Sequence, residues 1–261
     1  MTSRTTLLAS ALGFAVVVGA LGSGKTVVAQ GFGTIKGKVV WGGASLPTAD
    51  LKVKKGDPAA KDAAVCAKED IPNEDYVVDP ATKGVANAFA YVTMPKGTNP
   101  DAEKALISAA AEVEIDQKGC RFVPHAVALH KNQKLVFKSS DPVGHNIRYT
   151  SFGIGSLNQM LAPSGKMTVD FPGAEKNPVN LVCDIHPWMS SVFMVFDHPF
   201  FAVTKADGSF EIKGVPAGTQ KVIVRQEKTG FVTPGARNGV TVEVKAGEVT
   251  DLGEIKLTPK N

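Results

Sequence analysis

Between residues 34 and 244 the chain is cut into short runs rich in Val, Ile, Phe and Thr, each closed by Gly, Pro, Asn or Asp before it reaches helical length. Runs of that kind read as strands. Strands are expected at 34–41, 88–94, 112–116, 126–129, 134–138, 145–149, 167–171, 179–183, 191–196, 209–212, 221–227 and 239–244. Only 101–111, alanine-rich and with Asp101 near its start, has a helical signature. Many short strands at this spacing constrain the chain to an all-β fold built from β-sandwiches. No internal repeat or low-complexity tract competes with that reading. The 261 residues, 43% hydrophobic and 21% charged, suffice for one large domain or two smaller ones and exclude wholesale disorder.

The first 29 residues read differently. Arg4 supplies a positive start, residues 7–21 are almost wholly apolar without an acid, and Val27-Val28-Ala29 offers small side chains for cleavage. This pattern is that of a secretory signal peptide cut after about Ala29, with a retained anchor as the alternative. A periplasmic or secreted mature chain is therefore expected, with no membrane span. Removing Arg4 and Lys25 with the leader lowers the net charge from +4 to +2, so nothing points to nucleic acid. The phrase Gly19-Ala-Leu-Gly-Ser-Gly24-Lys25-Thr26 fits a nucleotide-binding loop on paper. It lacks the preceding strand and following helix that the chemistry needs, so no nucleotide is expected.

Near the C-terminus stands Thr204-Lys-Ala-Asp207-Gly208-Ser-Phe210-Glu-Ile212-Lys-Gly-Val215-Pro216-Ala-Gly218. Asp207-Gly208 signals a hairpin turn, and Pro216-Ala-Gly218 a second turn. The phrase resembles the carboxypeptidase regulatory-like, transthyretin-type β-sandwich, whose opening strand is similar to Gly33-Thr-Ile-Lys-Gly-Lys-Val39. The resemblance implies that residues 30–111 contribute, with 199–261, to one small sandwich interrupted by a second domain at 112–198. Three consecutive pieces of one elongated β-protein remain the alternative.

The chemistry-bearing residues lie in that middle portion. Cys183-Asp-Ile-His186-Pro-Trp-Met189 puts thiolate, imidazole and thioether donors on one tight loop, and a second imidazole comes from Asp141-Pro-Val-Gly-His145-Asn146. Singly, these read as a buried thiol, core histidines and core filler. A zinc site could use the same cysteine and histidines, although methionine is a poor zinc ligand. Two His, one Cys and a weak axial Met define the trigonal electron-transfer copper site.

Residues 112–197 resemble the cupredoxins, or type 1 blue copper proteins, with a short ligand loop of the amicyanin and plastocyanin kind. The expected fold is thus a cupredoxin Greek-key β-sandwich plus the small regulatory-like β-sandwich. The resemblance implies one copper ion held by His145, Cys183, His186 and Met189. Asn146 would tie the two ligand-bearing loops together. It further implies a near-surface His186 edge through which electrons pass to redox partner proteins, flanked by Pro187 and Trp188. Trp188 would serve there as a docking aromatic or as a lid. Ile185 stands where related loops often have proline and so keeps a backbone N–H; pointed at the Cys183 sulfur, that N–H would favour Cu(I) and raise the potential. Cys120-Arg-Phe-Val-Pro-His125 and Asp197-His-Pro-Phe-Phe look like secreted bacterial proteins that pair the two domain types.

The expected role is single-electron carriage, not catalysis. Only five histidines occur, without the clusters that multicopper enzymes need, and no Gly-x-Ser-x-Gly or His-Glu-x-x-His is present. His125 reads as structural, and His130 and His198 carry no assigned role. The competing class is an envelope or adhesion module that binds copper without electron transfer. The three cysteines then divide into one thiolate, Cys183, and two residues outside the copper loop. In a secreted chain Cys66 and Cys120 are expected to pair as a disulfide.

Overall fold

A computed structural model describes residues 31–48 and 50–259. The expected signal peptide and the Gly19–Thr26 phrase lie outside the described residues. The described chain is nearly all β, arranged as stacked sheets. Among the described residues no helix is long and apolar enough to cross a membrane.

The outermost sheet places Phe32–Trp41 between Ser209–Pro216, antiparallel, and Val249–Leu257, parallel. A second sheet joins Phe201–Val203, Phe89–Val92, Gly218–Gln226 and Gly230–Phe231, with Val240–Val244 also on Gly218–Gln226. A third runs Leu157–Leu161, His145–Tyr149, Val179–Val182, Ser190–Phe196, Ala126–His130. The fourth runs Lys166–Val169, Lys134–Ser139, Glu112–Gln117, Phe122–Val123.

Alternation along the strands explains the stacking. In Ser190–Phe196 the side chains of Phe193 and Val195 enter the core between the third and fourth sheets, with Ile115, Leu135, Phe137 and Leu181. Val192, Met194 and Phe196 face the other way and meet Phe89, Tyr91 and Ile223 of the second sheet. Ala90, Val92, Val222 and Val224 turn from the second sheet to the outermost one, against Ile35, Val39 and Phe210. Strands buried on both faces carry continuous apolar runs, which is why Val192–Phe196 lacks the polar alternation of a half-exposed strand.

The helix spans Pro100–Ala109, with the Asn99 side chain accepting the Ala102 N–H at 3.0 Å and Pro100 in its first turn. The turn at Asp207-Gly208 forms, with the Gly208 N–H on the Lys205 carbonyl at 2.9 Å. It departs from a hairpin, however: Phe201–Val203 and Ser209–Pro216 belong to different sheets, so the turn is a corner between layers. Gly208 has φ +81°, and a Cβ there would run into the Val39 carbonyl. Strands at Leu157–Leu161 and Val249–Leu257 were not expected. Both lie at sheet edges and are largely exposed, so polar residues and Gly253 break the apolar signal.

Candidate metal centre

His145 opens its strand, and Cys183 directly follows Val179–Val182. Those strands are antiparallel, with Leu181 opposite Tyr149 and Val182 opposite Arg148. Continuing that register brings Cys183 toward Asn146 and His145. Beyond Cys183 the chain folds back at once: the Met189 N–H reaches the His186 carbonyl at 2.9 Å, and the Cys183 N–H reaches the Met189 carbonyl at 3.2 Å. This closes residues 183–189 into a compact loop that turns His186 inward before Ser190–Phe196 begins.

Three donors converge. The Nδ1 atoms of His145 and His186 are 2.9 Å apart, and Cys183 Sγ is 3.7 Å from His186 Nδ1. The ligand atoms of all three residues lie within 4.8 Å of one another, and all three residues are buried. Met189, 1% exposed, is buried in the same core as Cys183. The Asn146 backbone N–H donates to Cys183 Sγ at 3.2 Å, while its side-chain oxygen accepts the Asp184 N–H at 3.1 Å. Asn146 therefore joins the His145 strand to the Cys183 loop at two points.

Both outer imidazole nitrogens are held by carboxylates. His145 Nε2 lies 2.9 Å from Asp141 Oδ2, and His186 Nε2 lies 3.0 Å from Asp62 Oδ2. Burial works against a charged His145, but its hydrogen bonds to Asp141 and Cys183 raise its pKa to about 9. Burial pushes the Cys183 thiol up, yet hydrogen bonds from His145, His186 and the Asn146 N–H outweigh it and lower the pKa to about 6. Near neutral pH the metal-free site therefore holds a thiolate beside an imidazolium. The carboxylates of Asp141 and Asp62 can only accept, so His145 Nε2 and His186 Nε2 donate to them. A thiolate and two imidazoles anchored through Nε2 with Nδ1 turned inward form a donor set that suits copper.

Two expectations are corrected here. The sulfur takes its N–H from Asn146, and among the described residues no hydrogen bond from Ile185 reaches it. Antiparallel pairing delivers the Asn146 amide, whereas Ile185 sits further along the loop. The His186 edge is also not at the surface: the residue is 0% exposed, because Asp62 and its neighbours lie over it. Pro187 remains exposed. Trp188 is half-buried, with its ring 5.3 Å from that of His186 and its indole N–H on the Cys120 carbonyl at 3.1 Å. Both contacts place its ring beside His186. Cys66 and Cys120 form a disulfide with Cα atoms 5.2 Å apart, and Cys183 is free.

Asp62 and Asp141 went unassigned in the sequence. Asp141 left a local signal, four positions before His145. Asp62 left none, since it lies 124 positions from His186. His125 is placed apart from the donor cluster, its Nε2 2.9 Å from Glu227 Oε1.

No protein-family model matches the chain. No curated protein matches it. Among solved structures, a mutant amicyanin in its Cu(I) form is similar at 14% identity and a TM-score of 0.30, covering 41% of this chain and 98% of that one. A purple cupredoxin from Nitrosopumilus maritimus is similar at 17% identity and a TM-score of 0.27, covering 32% and 99%. A Cu-containing nitrite reductase from Thermus scotoductus SA-01 is similar at 17% identity and a TM-score of 0.30. There the match covers 33% of this chain and only 22% of that one.

Proposed function

We propose that this chain is a secreted or periplasmic type 1 copper protein that carries single electrons and catalyses no reaction of its own. The observation that carries the reading is the convergence of His145 Nδ1, His186 Nδ1 and Cys183 Sγ at one buried point. His145, Cys183, His186 and Met189 would hold the ion, the thioether as the weakest donor. Bound copper would supply a one-electron couple between Cu(II) and Cu(I). The protein's part is to keep the donors fixed. Asp141 and Asp62 anchor the two imidazoles, and the Asn146 N–H stabilises negative charge on the sulfur. Burial keeps water from the thiolate. The Cys66–Cys120 disulfide supports an oxidising compartment. The strands flanking Asp207-Gly208 serve, on this reading, as a regulatory-like β-sandwich scaffold without catalytic residues.

A second reading is favoured by one observation, the complete burial of His186. On that reading the chain binds copper as an envelope module without passing electrons. Adding Cu(II) to the purified mature chain tests the first reading. An intense visible thiolate-to-copper band that bleaches with ascorbate is expected, and it should be absent from Cys183→Ser. A colourless protein, or a band that survives that substitution, would overturn it.

A further inference from the structure

Asp62 reaches the site from far away in sequence, on a short strap that is fastened covalently. Its carbonyl accepts the N–H groups of Val65 at 2.8 Å and Cys66 at 2.9 Å, starting the single helical turn Ala63–Cys66. Asp62 itself has φ 52° and ψ 43°, a left-handed conformation uncommon for a residue with a side chain. Four residues on, Cys66 is bound to Cys120. Cys120 in turn is tied to the rest of the centre. Its carbonyl accepts the Trp188 indole N–H, and its own N–H donates to Asp141 at 2.8 Å, beside the Gly119 N–H at 2.7 Å. One disulfide thus fastens the strap carrying Asp62 to the loop that orients Asp141. A ring nitrogen of His186 lies within 4.8 Å of both disulfide sulfurs.

The consequence falls on His186. The Asp62 carboxylate meets Nε2 at 3.0 Å, the imidazole is 0% exposed, and the Asp62 side chain is itself 32% exposed. The strap therefore forms the outer wall of the donor cluster on this side.

We propose that Asp62 is a positioning residue: its hydrogen bond to Nε2, delivered by the disulfide-held strap, locks the His186 ring with Nδ1 toward Cys183 and closes that edge of the site. The metal's identity rests on the copper reading, but the lock belongs to the metal-free protein and is tested there. The first readout is alkylation of Cys183 by iodoacetamide in the metal-free chain, disulfide intact. The second is the ¹⁵N signal of the His186 ring. Wild type should react slowly and show two distinct ring-nitrogen signals, as a ring held in one orientation gives. Asp62→Ala should speed alkylation about tenfold or more and average the two nitrogen signals. Asp62→Asn, whose amide oxygen still accepts from Nε2, should restore both towards wild type. Cys66→Ser with Cys120→Ser, which frees the strap, should behave as Asp62→Ala does.

In the copper-loaded protein, Asp62→Ala should also weaken metal affinity by about 10–100-fold. Equal alkylation rates and unchanged ring signals in wild type and Asp62→Ala would overturn the proposal. So would equal acceleration by Asp62→Asn and Asp62→Ala. If wild type takes up no copper, the function proposed above fails, while the alkylation and ¹⁵N measurements still decide the lock.

Discussion

The Nδ1 atoms of His145 and His186 face each other across 2.9 Å, although the residues are 41 positions apart. Two imidazole nitrogens at that distance share one proton or one metal ion. The anchoring of each ring through Nε2, by Asp141 and by Asp62, is what makes the inward-facing arrangement hold.

The first prediction concerns the metal-free sulfur. Cys183 has its pKa lowered to about 6, burial being outweighed by hydrogen bonds from His145, His186 and Asn146. The thiolate fraction, and with it the alkylation rate, should rise with pH through a midpoint near 6 instead of the ordinary value of about 8.5. His145→Gln should move that midpoint upward. A midpoint in the ordinary thiol range for wild type would contradict the charge pairing.

Asn146 provides the second. Asn146→Ala removes the acceptor for the Asp184 N–H and the partner of Asn158, which is 2.7 Å away. The cost should be about 1–2 kcal/mol in urea denaturation of the metal-free protein. The backbone N–H on the sulfur survives the substitution, so the copper band should persist in the variant.

A third prediction lies at the junction of the layers. Burial alone would lower the His125 pKa, but the bond to Glu227 and the charges of Glu227 and Glu74 raise it above the ordinary value. A group whose folded pKa is raised contributes stability in full below its unfolded pKa, about 6.5, and loses it as pH rises through the folded value. Glu227→Gln should therefore destabilise by about 1.5–3 kcal/mol near pH 5.5 and by progressively less at alkaline pH. Urea denaturation at the two ends of that range checks the sign. A larger loss at alkaline pH would refute it.

The fourth concerns the packing that holds the stack together. Phe196 stacks on Phe201 at 4.5 Å between ring centroids and lies 5.3 Å from the ring of Tyr91. It is 5% exposed and belongs to the cluster joining the second and third sheets. Phe196→Ala should cost about 3–5 kcal/mol by opening a cavity there. A loss below about 1 kcal/mol would mean that the two sheets contribute little to each other's stability.

Much of this was legible in the sequence because its cause is local. Strand positions followed from β-branched runs, and the compact ligand loop followed from donors spaced within seven residues of one another. The helix was placed by alanines, though its cap is Asn99 and it ends at Ala109. What escaped depends on distant contacts. Edge strands such as Leu157–Leu161 expose most of their side chains, so no burial pattern marks them. The corner at Asp207-Gly208 has the residues of a hairpin. It becomes a corner only because its flanking strands find partners in Phe32–Trp41 and Phe89–Val92. Asp62 sits in a polar stretch whose place over His186 is set by the Cys66–Cys120 bond. No local reading of a carboxylate could find it.

On the function proposed above, the donors at His145, Cys183, His186 and Met189 make an electron-carrying copper centre. The most direct test is an anaerobic redox titration of the copper-loaded mature chain, followed through its thiolate-to-copper absorption band. The band should disappear on reduction and return in full on oxidation, with one electron per copper. A protein without the band, or one whose band fails to return, would contradict it.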